Sequence, residues 1–258
     1  MKHTALAPIG VEITDLDLAA PDADDVAQIK ELLAEHGVAV FPRQRLDDDE
    51  FTALLERFGD LVFTAGETPV PGHPDLNVIS NVGRETPPTS TFHVDSSYFS
   101  TPPAYTALRT VSIPEQGGET LFTNQYAAYD SLPDEVRERL DGRTITHVVT
   151  GVDPALLDEG DETSSEHPVF RPHPLSGRTA LYLSTPRRCA AISGLDDAEA
   201  AEVVRFLYEH STRDDNTLRH AWAPDDVVMW DNGCVLHRAD HSGVVGDRVM
   251  HRGMVATY

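Results

Sequence analysis

The sequence predicts an α+β protein in which many short strands form a barrel or jelly roll with flanking helices. Three observations predict it. Amphipathic helical spacing marks the first sixty residues, short β-rich pieces separated by Gly, Pro and Asp recur from Leu76 onward, and helices interrupt that β region only twice. The chain's 258 residues, 40% hydrophobic and 24% charged, are those of an ordinary globular protein.

The elements follow in order. Val26, Ile29, Leu32 and Leu33 fall at helical spacing within residues 24–36, with acids at the start and Gly37 just past the end as a cap. Gly37 to Phe41 reads as a short buried strand. A second helix is expected from about Asp47, with Phe51, Leu54, Leu55 and Phe58 on one face and Gly59 closing it. In Leu76–Ser80, Leu76 and Val78 share one strand face, and Asn77 and Ile79 the other. Further strands are expected at 104–113, 143–150, 179–184, 226–230 and 247–257. The interrupting helices are expected around 124–140 and at 197–210, where Ala200, Val203, Val204 and Leu207 form a stripe. The acidic stretch from Asp153 to Glu166 reads as an exposed loop.

A formal net charge of −23 makes the surface a polyanion that repels phosphate backbones and anionic lipid, so neither nucleic acid nor membrane is an expected partner. Cys189 and Cys234 are too few for a disulfide framework and read as small core residues. The N-terminal residues lack a signal peptide's apolar stretch and no apolar run approaches a spanning length, so a cytoplasmic location is expected.

Three features carry chemistry. In His93-Val94-Asp95, a strand's period of two would put imidazole and carboxylate on one face, about 6–7 Å apart along the chain and able to reach one metal ion. A surface hydrogen-bonded pair would read the same way. His237 follows the apolar strand Val227-Val228-Met229-Trp230. Should it return to the His93 side of a barrel, two imidazoles and a carboxylate would make the facial triad of non-haem Fe(II), with open positions for oxygen and a co-substrate. A turn or core histidine is the bland alternative. In Arg248-Val249-Met250-His251-Arg252 the two arginines share a face about 13 Å apart along the backbone, and could converge on the ends of a bound diacid or simply pair with the surplus acid.

Together these features resemble the taurine dioxygenase and 2,4-dichlorophenoxyacetate dioxygenase (TauD/TfdA) family. The resemblance runs through Gly37-Val38-Ala39-Val40-Phe41-Pro42, Phe58-Gly59, His93-Val94-Asp95, Thr101-Pro102-Pro103-Ala104 and Gly117-Gly118-Glu119-Thr120-Leu121-Phe122. It continues in His173-Pro174-Leu175-Ser176-Gly177, Trp230-Asp231-Asn232, His237-Arg238 and Arg248 to Arg252. It implies a distorted double-stranded β-helix (jelly roll) with flanking helices, one domain over 1–258, and a dimer or tetramer as the homo-oligomer. It further implies an Fe(II)- and 2-oxoglutarate-dependent dioxygenase that uses O2 to hydroxylate or oxidatively cleave a C–H bond of a small, anionic substrate, releasing succinate and CO2. His93, Asp95 and His237 would bind iron. Arg248, helped by Thr120, would take the distal carboxylate of 2-oxoglutarate. Arg252 would lie near the iron-chelating end or near the substrate's anion. Because Asp95 is a carboxylate where related halogenases have a small residue, halogenation is disfavoured. Asn81, Tyr98, Arg187 and Arg188 are the candidate substrate residues, the last two as cations that could receive an anion. A zinc hydrolase using the same triad and a non-catalytic acidic interaction protein are the rival readings.

Overall fold

A computed structural model describes residues 1–64, 66–83 and 91–258. Among them the chain builds a strand-rich mixed fold with few helices. A nine-stranded sheet runs in the order Lys2–Ala5, Val11–Thr14, Val38–Phe41, Val227–Asp231, Tyr105–Ser112, Val249–Val255, His73–Ser80, Pro69–Val70, with Leu61–Val62 also paired to Val249–Val255. A three-stranded sheet places Thr120–Asn124 between Thr217–His220 and Val235–Ala239. Among the described residues only the pairing of Val11–Thr14 with Val38–Phe41 is parallel.

The apolar runs are explained by burial on both faces of the large sheet. In Val38–Phe41, Ala39 and Phe41 join the core under the N-terminal helices, while Val38 and Val40 join a second core shared with Phe122, Trp230 and Met250. Val227–Asp231 divides the same way, Val227 and Met229 to one side and Val228 and Trp230 to the other. The fully buried Leu76 packs in the first core.

The helices Ala23–His36 and Asp48–Glu56 both start with capping boxes, Asp22 with Asp25 and Asp47 with Glu50, which satisfy the free N–H groups of the first turn. Gly37 has φ 70°, and a Cβ there would lie 2.6 Å from Ile9 Cδ1 and 2.7 Å from Val235 Cγ2, so both backbone and packing require glycine.

Four expectations are corrected. The second helix ends at Glu56, capped by Arg57, so the buried Phe58 sits in the turn beyond it. The helix expected over 124–140 is two, Gln125–Asp130 and Asp134–Leu140, because Pro133 lacks an N–H and forces its predecessor out of the helical region. The acidic stretch is exposed over most of its length, but Ser164–Pro168 pairs with Thr144–Val148, its polar side chains lying on the outer edge of a strand. His93 and Asp95 do not lie along a regular strand: His93 makes an isolated bridge to His237, and Asp95 opens a turn. Among the described residues no helix is long and apolar enough to cross a membrane, and both cysteines are buried and unpaired.

Helix Asp48–Glu56 crosses the large sheet over Gly253, where a Cβ would overlap Leu55 Cδ1 and stand 3.0 Å from Leu76 Cδ2. Gly253→Val is therefore expected to destabilise the fold by roughly 1–3 kcal/mol through overpacking, measured as a lower urea midpoint at unchanged m-value.

Candidate active site

His93 and His237 exchange both backbone hydrogen bonds, His93 N to His237 O at 3.0 Å and His237 N to His93 O at 2.9 Å. This pairs His93 with the middle of strand Val235–Ala239, and it brings the two imidazole rings to a centroid distance of 4.3 Å. The turn after Val94 returns Asp95 beneath them: its Oδ1 lies 3.6 Å from His93 Nε2 and its Oδ2 3.6 Å from His237 Nε2. One ligand atom from each of the three residues falls within 4.8 Å of the others, as a single ion between them requires.

The donor set suits a divalent metal. His93 Nδ1 is 2.9 Å from the Thr91 carbonyl, which assigns the ring hydrogen to Nδ1 and leaves the Nε2 lone pair facing Asp95 and His237. Burial pulls the His237 imidazole down to about 3, so it is neutral. Burial alone would raise the Asp95 carboxyl, but the imidazoles of His237 and His93 and the Arg252 guanidinium beside it outweigh that and hold it well below the usual range. Thr106 Oγ1 donates to Asp95 Oδ2 at 2.9 Å and in turn accepts from Asn232 Nδ2 at 2.9 Å. Thr106 sits in the central strand Tyr105–Ser112 and had no signature in the sequence; Asn232 was visible only as part of Trp230-Asp231-Asn232.

A cavity of about 150 Å³ adjoins this cluster, lined by His93, His237, Arg252 and Glu67 together with Thr120, Arg248, Ile79, Leu108 and Trp230. Arg248 is 1% exposed. Its Nε donates to Gly118 O at 2.8 Å and its Nη2 to Thr120 Oγ1 at 3.2 Å, while Nη1 is buried with no partner. No carboxylate of the described residues pairs with it. Burial lowers its pKa to about 10, which leaves it charged at neutral pH. Trp222 Nε1 also donates to Thr120 Oγ1, at 3.0 Å. With two donors on its oxygen, the Thr120 hydroxyl is left to donate its own hydrogen elsewhere. A Cβ at Gly118, φ 81°, would stand 3.0 Å from Arg248 Cδ and 2.9 Å from Pro114 Cγ, so glycine makes room for the arginine.

Arg252 is engaged at both Nη atoms, Nη1 with Asp95 Oδ1 and Nη2 with Glu67 Oε1, each at 3.2 Å. Beyond it opens a larger cavity of about 710 Å³, which His93, Asp95, Glu67 and Arg252 share with Tyr98, Arg187, Arg188, Val152, Asp153 and Leu156. Arg187 is exposed at this cavity, whereas Arg188 is half-buried, stacked 5.4 Å from the Tyr98 ring centroid and bonded from Nη1 to Val94 O at 3.0 Å. Asn81, expected to line a pocket, lines neither cavity. It holds the start of the arginine strand instead: its Oδ1 accepts from Arg248 N at 2.8 Å and its Nδ2 donates to Gly246 O at 3.1 Å, because strand His73–Ser80 pairs with Val249–Val255 up to this point.

A second cluster with metal-ligand chemistry, His173, Asp231 and Cys234, is already saturated by protein groups. His173 Nε2 bonds Asp231 Oδ2 at 2.9 Å, and Asp231 Oδ1 accepts from Tyr258 OH at 2.7 Å and Gly233 N at 2.8 Å. His173 Nδ1 accepts from the backbone of Leu175 and Ser176, so the ring donates from Nε2. The cluster locks the Trp230-Asp231-Asn232 turn rather than offering lone pairs to an ion.

Residues 2–254 match the family described as taurine catabolism dioxygenase TauD, TfdA. The chain is 32% identical to the alpha-ketoglutarate-dependent 2,4-dichlorophenoxyacetate dioxygenase of Cupriavidus pinatubonensis over 94% of its own length and 92% of the relative's. It is 29% identical to the alpha-ketoglutarate-dependent sulfate ester dioxygenase of Pseudomonas putida over 98% and 88%. A crystal structure of a taurine dioxygenase from Burkholderia xenovorans superposes with a TM-score of 0.85 at 32% identity, covering 100% of this chain and 91% of that one. The fold and the His-Asp-His cluster thus define a non-haem dioxygenase dependent on Fe(II), 2-oxoglutarate and O2. The chain belongs to the TauD/TfdA family, and the hydrolase and non-catalytic readings fall with that membership.

If Thr106 fixes the Asp95 carboxylate, Thr106→Val should weaken metal binding by about 10–100-fold, read as the Mn(II) titration followed by electron paramagnetic resonance. An unchanged affinity would remove Thr106 from this role.

Proposed function

We propose that the enzyme oxidises an unactivated C–H bond of a small anionic organic substrate, with Fe(II) held by His93 Nε2, His237 Nε2 and Asp95, and with 2-oxoglutarate in the inner cavity. One observation carries this reading: Arg248, a buried guanidinium with no carboxylate partner among the described residues, reaches the same cavity as the His-Asp-His cluster. A dicarboxylate with one end on the metal and the other on Arg248 satisfies both, and guanidinium binds carboxylate in a two-pronged fashion.

Bound iron supplies oxygen activation and removal of the substrate hydrogen. One oxygen atom ends in the hydroxylated substrate and the other in succinate, with CO2 released; cleavage follows where the hydroxylated carbon bears a leaving group. The protein's contribution is positional. Arg248 offers charge, and the Thr120 hydroxyl, its oxygen already taken by Arg248 and Trp222, offers its hydrogen to the same distal carboxylate. Ile79, Leu108 and Trp230 keep the space between the two ends apolar. Arg252 offsets the Asp95 charge and orients that carboxylate from the side opposite Thr106. The nine-stranded and three-stranded sheets, packed together through Phe122, Trp230 and Met250, support a distorted double-stranded β-helix in one domain over 1–258. The named substrates of the relatives, 2,4-dichlorophenoxyacetate, sulfate esters and (S)-phenoxypropionate, are anions and support the substrate class.

Anaerobic addition of Fe(II) and 2-oxoglutarate should produce the weak visible charge-transfer band of the chelate. His93→Ala and Asp95→Ala should abolish it. Arg248→Ala should shift its midpoint to at least tenfold higher 2-oxoglutarate, since a charge-assisted pair of about 1.5–3 kcal/mol is lost. No band from folded, iron-loaded wild type would overturn the assignment.

A further inference from the structure

The turn that carries Asp95 does not sustain its own shape. Ser96, the residue after the carboxylate, has φ 43°, a left-handed conformation that L side chains disfavour. Asp95 therefore stands where it does because other segments hold the chain around it. Thr106 and Arg252 hold the carboxylate itself. The backbone is held from a different direction.

Val94 lies between the two ligands, and each peptide plane beside it is gripped from outside. In the plane shared with His93, the His93 carbonyl accepts from His237 N at 2.9 Å, and the Val94 N–H donates to Ser184 Oγ at 3.2 Å. In the plane shared with Asp95, the Val94 carbonyl accepts from Arg188 Nη1 at 3.0 Å. Two rigid planes that meet at one Cα leave only φ and ψ between them, so these bonds set the direction in which the chain leaves toward Asp95. Ser184 and Val94 are both buried, and a buried N–H requires an acceptor.

Ser184 belongs to a closed turn. Its N–H donates to Cys189 Sγ at 3.3 Å, and the Cys189 thiol donates back to Ser184 O at 3.6 Å. Arg188 N and Cys189 N both donate to Thr185 O, at 2.9 and 3.1 Å, and the Arg188 carbonyl accepts from Val148 N at 2.8 Å, which ties the turn to strand Thr144–Val148. Thr185, Pro186 and Arg187 of the same turn line the outer cavity. One braced piece of chain thus forms cavity wall on one side and grips the ligand backbone on the other.

Resting on the dioxygenase reading above, we infer that Ser184 is a positioning residue of the metal centre: its hydroxyl oxygen, through the Val94 N–H, sets the place of Asp95 relative to the two imidazoles. Ser184 belongs to none of the metal-ligand atoms and acts only through the peptide between them. Loss of that oxygen frees the plane between His93 and Val94 to rotate, and the carboxylate moves with it.

The test compares Ser184→Ala and the nearly isosteric Ser184→Cys, whose sulfur is a weak acceptor, with Leu140→Ala, which opens a cavity in the apolar core that Val94 shares. Three quantities are measured on each: Mn(II) affinity by electron paramagnetic resonance, the position of the Fe(II)–2-oxoglutarate charge-transfer band, and the urea midpoint of the metal-free protein. Ser184→Ala should weaken Mn(II) binding by about 10-fold or more and shift the band, with Ser184→Cys falling between it and wild type. Leu140→Ala should lower the urea midpoint while leaving affinity and band as in wild type. If Ser184→Ala does not fold, the cysteine variant decides. The inference is overturned if the deciding variant binds Mn(II) as tightly as wild type with its band unmoved, or if Leu140→Ala loses as much affinity as that variant. Failure of both Ser184 variants to fold also overturns it, since Ser184 would then serve the fold and not the centre. Failure of wild type to bind Mn(II) would instead overturn the His-Asp-His site itself.

Discussion

The site depends on one backbone constraint, the reciprocal pair of hydrogen bonds between His93 and His237. Each imidazole belongs to a different part of the chain, and neither local segment has a reason to meet the other until strand Val235–Ala239 is seated against Thr120–Asn124. Once seated, the isolated bridge fixes both rings, and the turn after Val94 brings the carboxylate under them. The same seating delivers Thr120 to the inner cavity, because Thr120 pairs with Ala239, two residues beyond His237 on that strand.

Charge is distributed with equal economy. What sets Arg248 apart is that it is buried without a carboxylate partner among the described residues. Arg248 is walled in by Gly118, Thr120 and Trp222, none of which carries charge, so the desolvation of its guanidinium is offset only when an anion enters the cavity. Arg188, half-buried on the outer side, bonds the Val94 carbonyl and packs on the Tyr98 ring. Arg252 lines both cavities and pairs with Asp95 of the His-Asp-His cluster. The arginines near the centre are told apart by their partners and not by their residue type.

Support for the centre comes from motifs that themselves bind nothing. Trp230-Asp231-Asn232 packs its indole against Phe122 and His237, pins its aspartate to His173, Tyr258 and Gly233, and sends its asparagine to Thr106 and so to Asp95. His173-Pro174-Leu175-Ser176-Gly177 supplies the histidine for that lock. Both motifs conspicuous in the sequence are accounted for as scaffolding one step removed from the metal.

Much of this was legible in the sequence, because some properties are local. Helical spacing located Ala23–His36 and Asp197–Ser211, continuous apolar runs located Val38–Phe41 and Val227–Asp231, and residue chemistry singled out His93, Asp95, His237, Arg248 and Arg252. What the sequence could not decide was geometry between distant segments. It read His93-Val94-Asp95 as strand, whereas a turn places the carboxylate; it put Asn81 in a pocket, whereas strand pairing spends its amide on Arg248 and Gly246; and it had no signal for Thr106 or Trp222. By itself the sequence determined the family and the set of reactive side chains, since both are written in ordered local patterns. The tertiary structure alone decided which arginine meets a carboxylate and which is buried without one, because a counter-ion is a matter of distance in space and not of position along the chain.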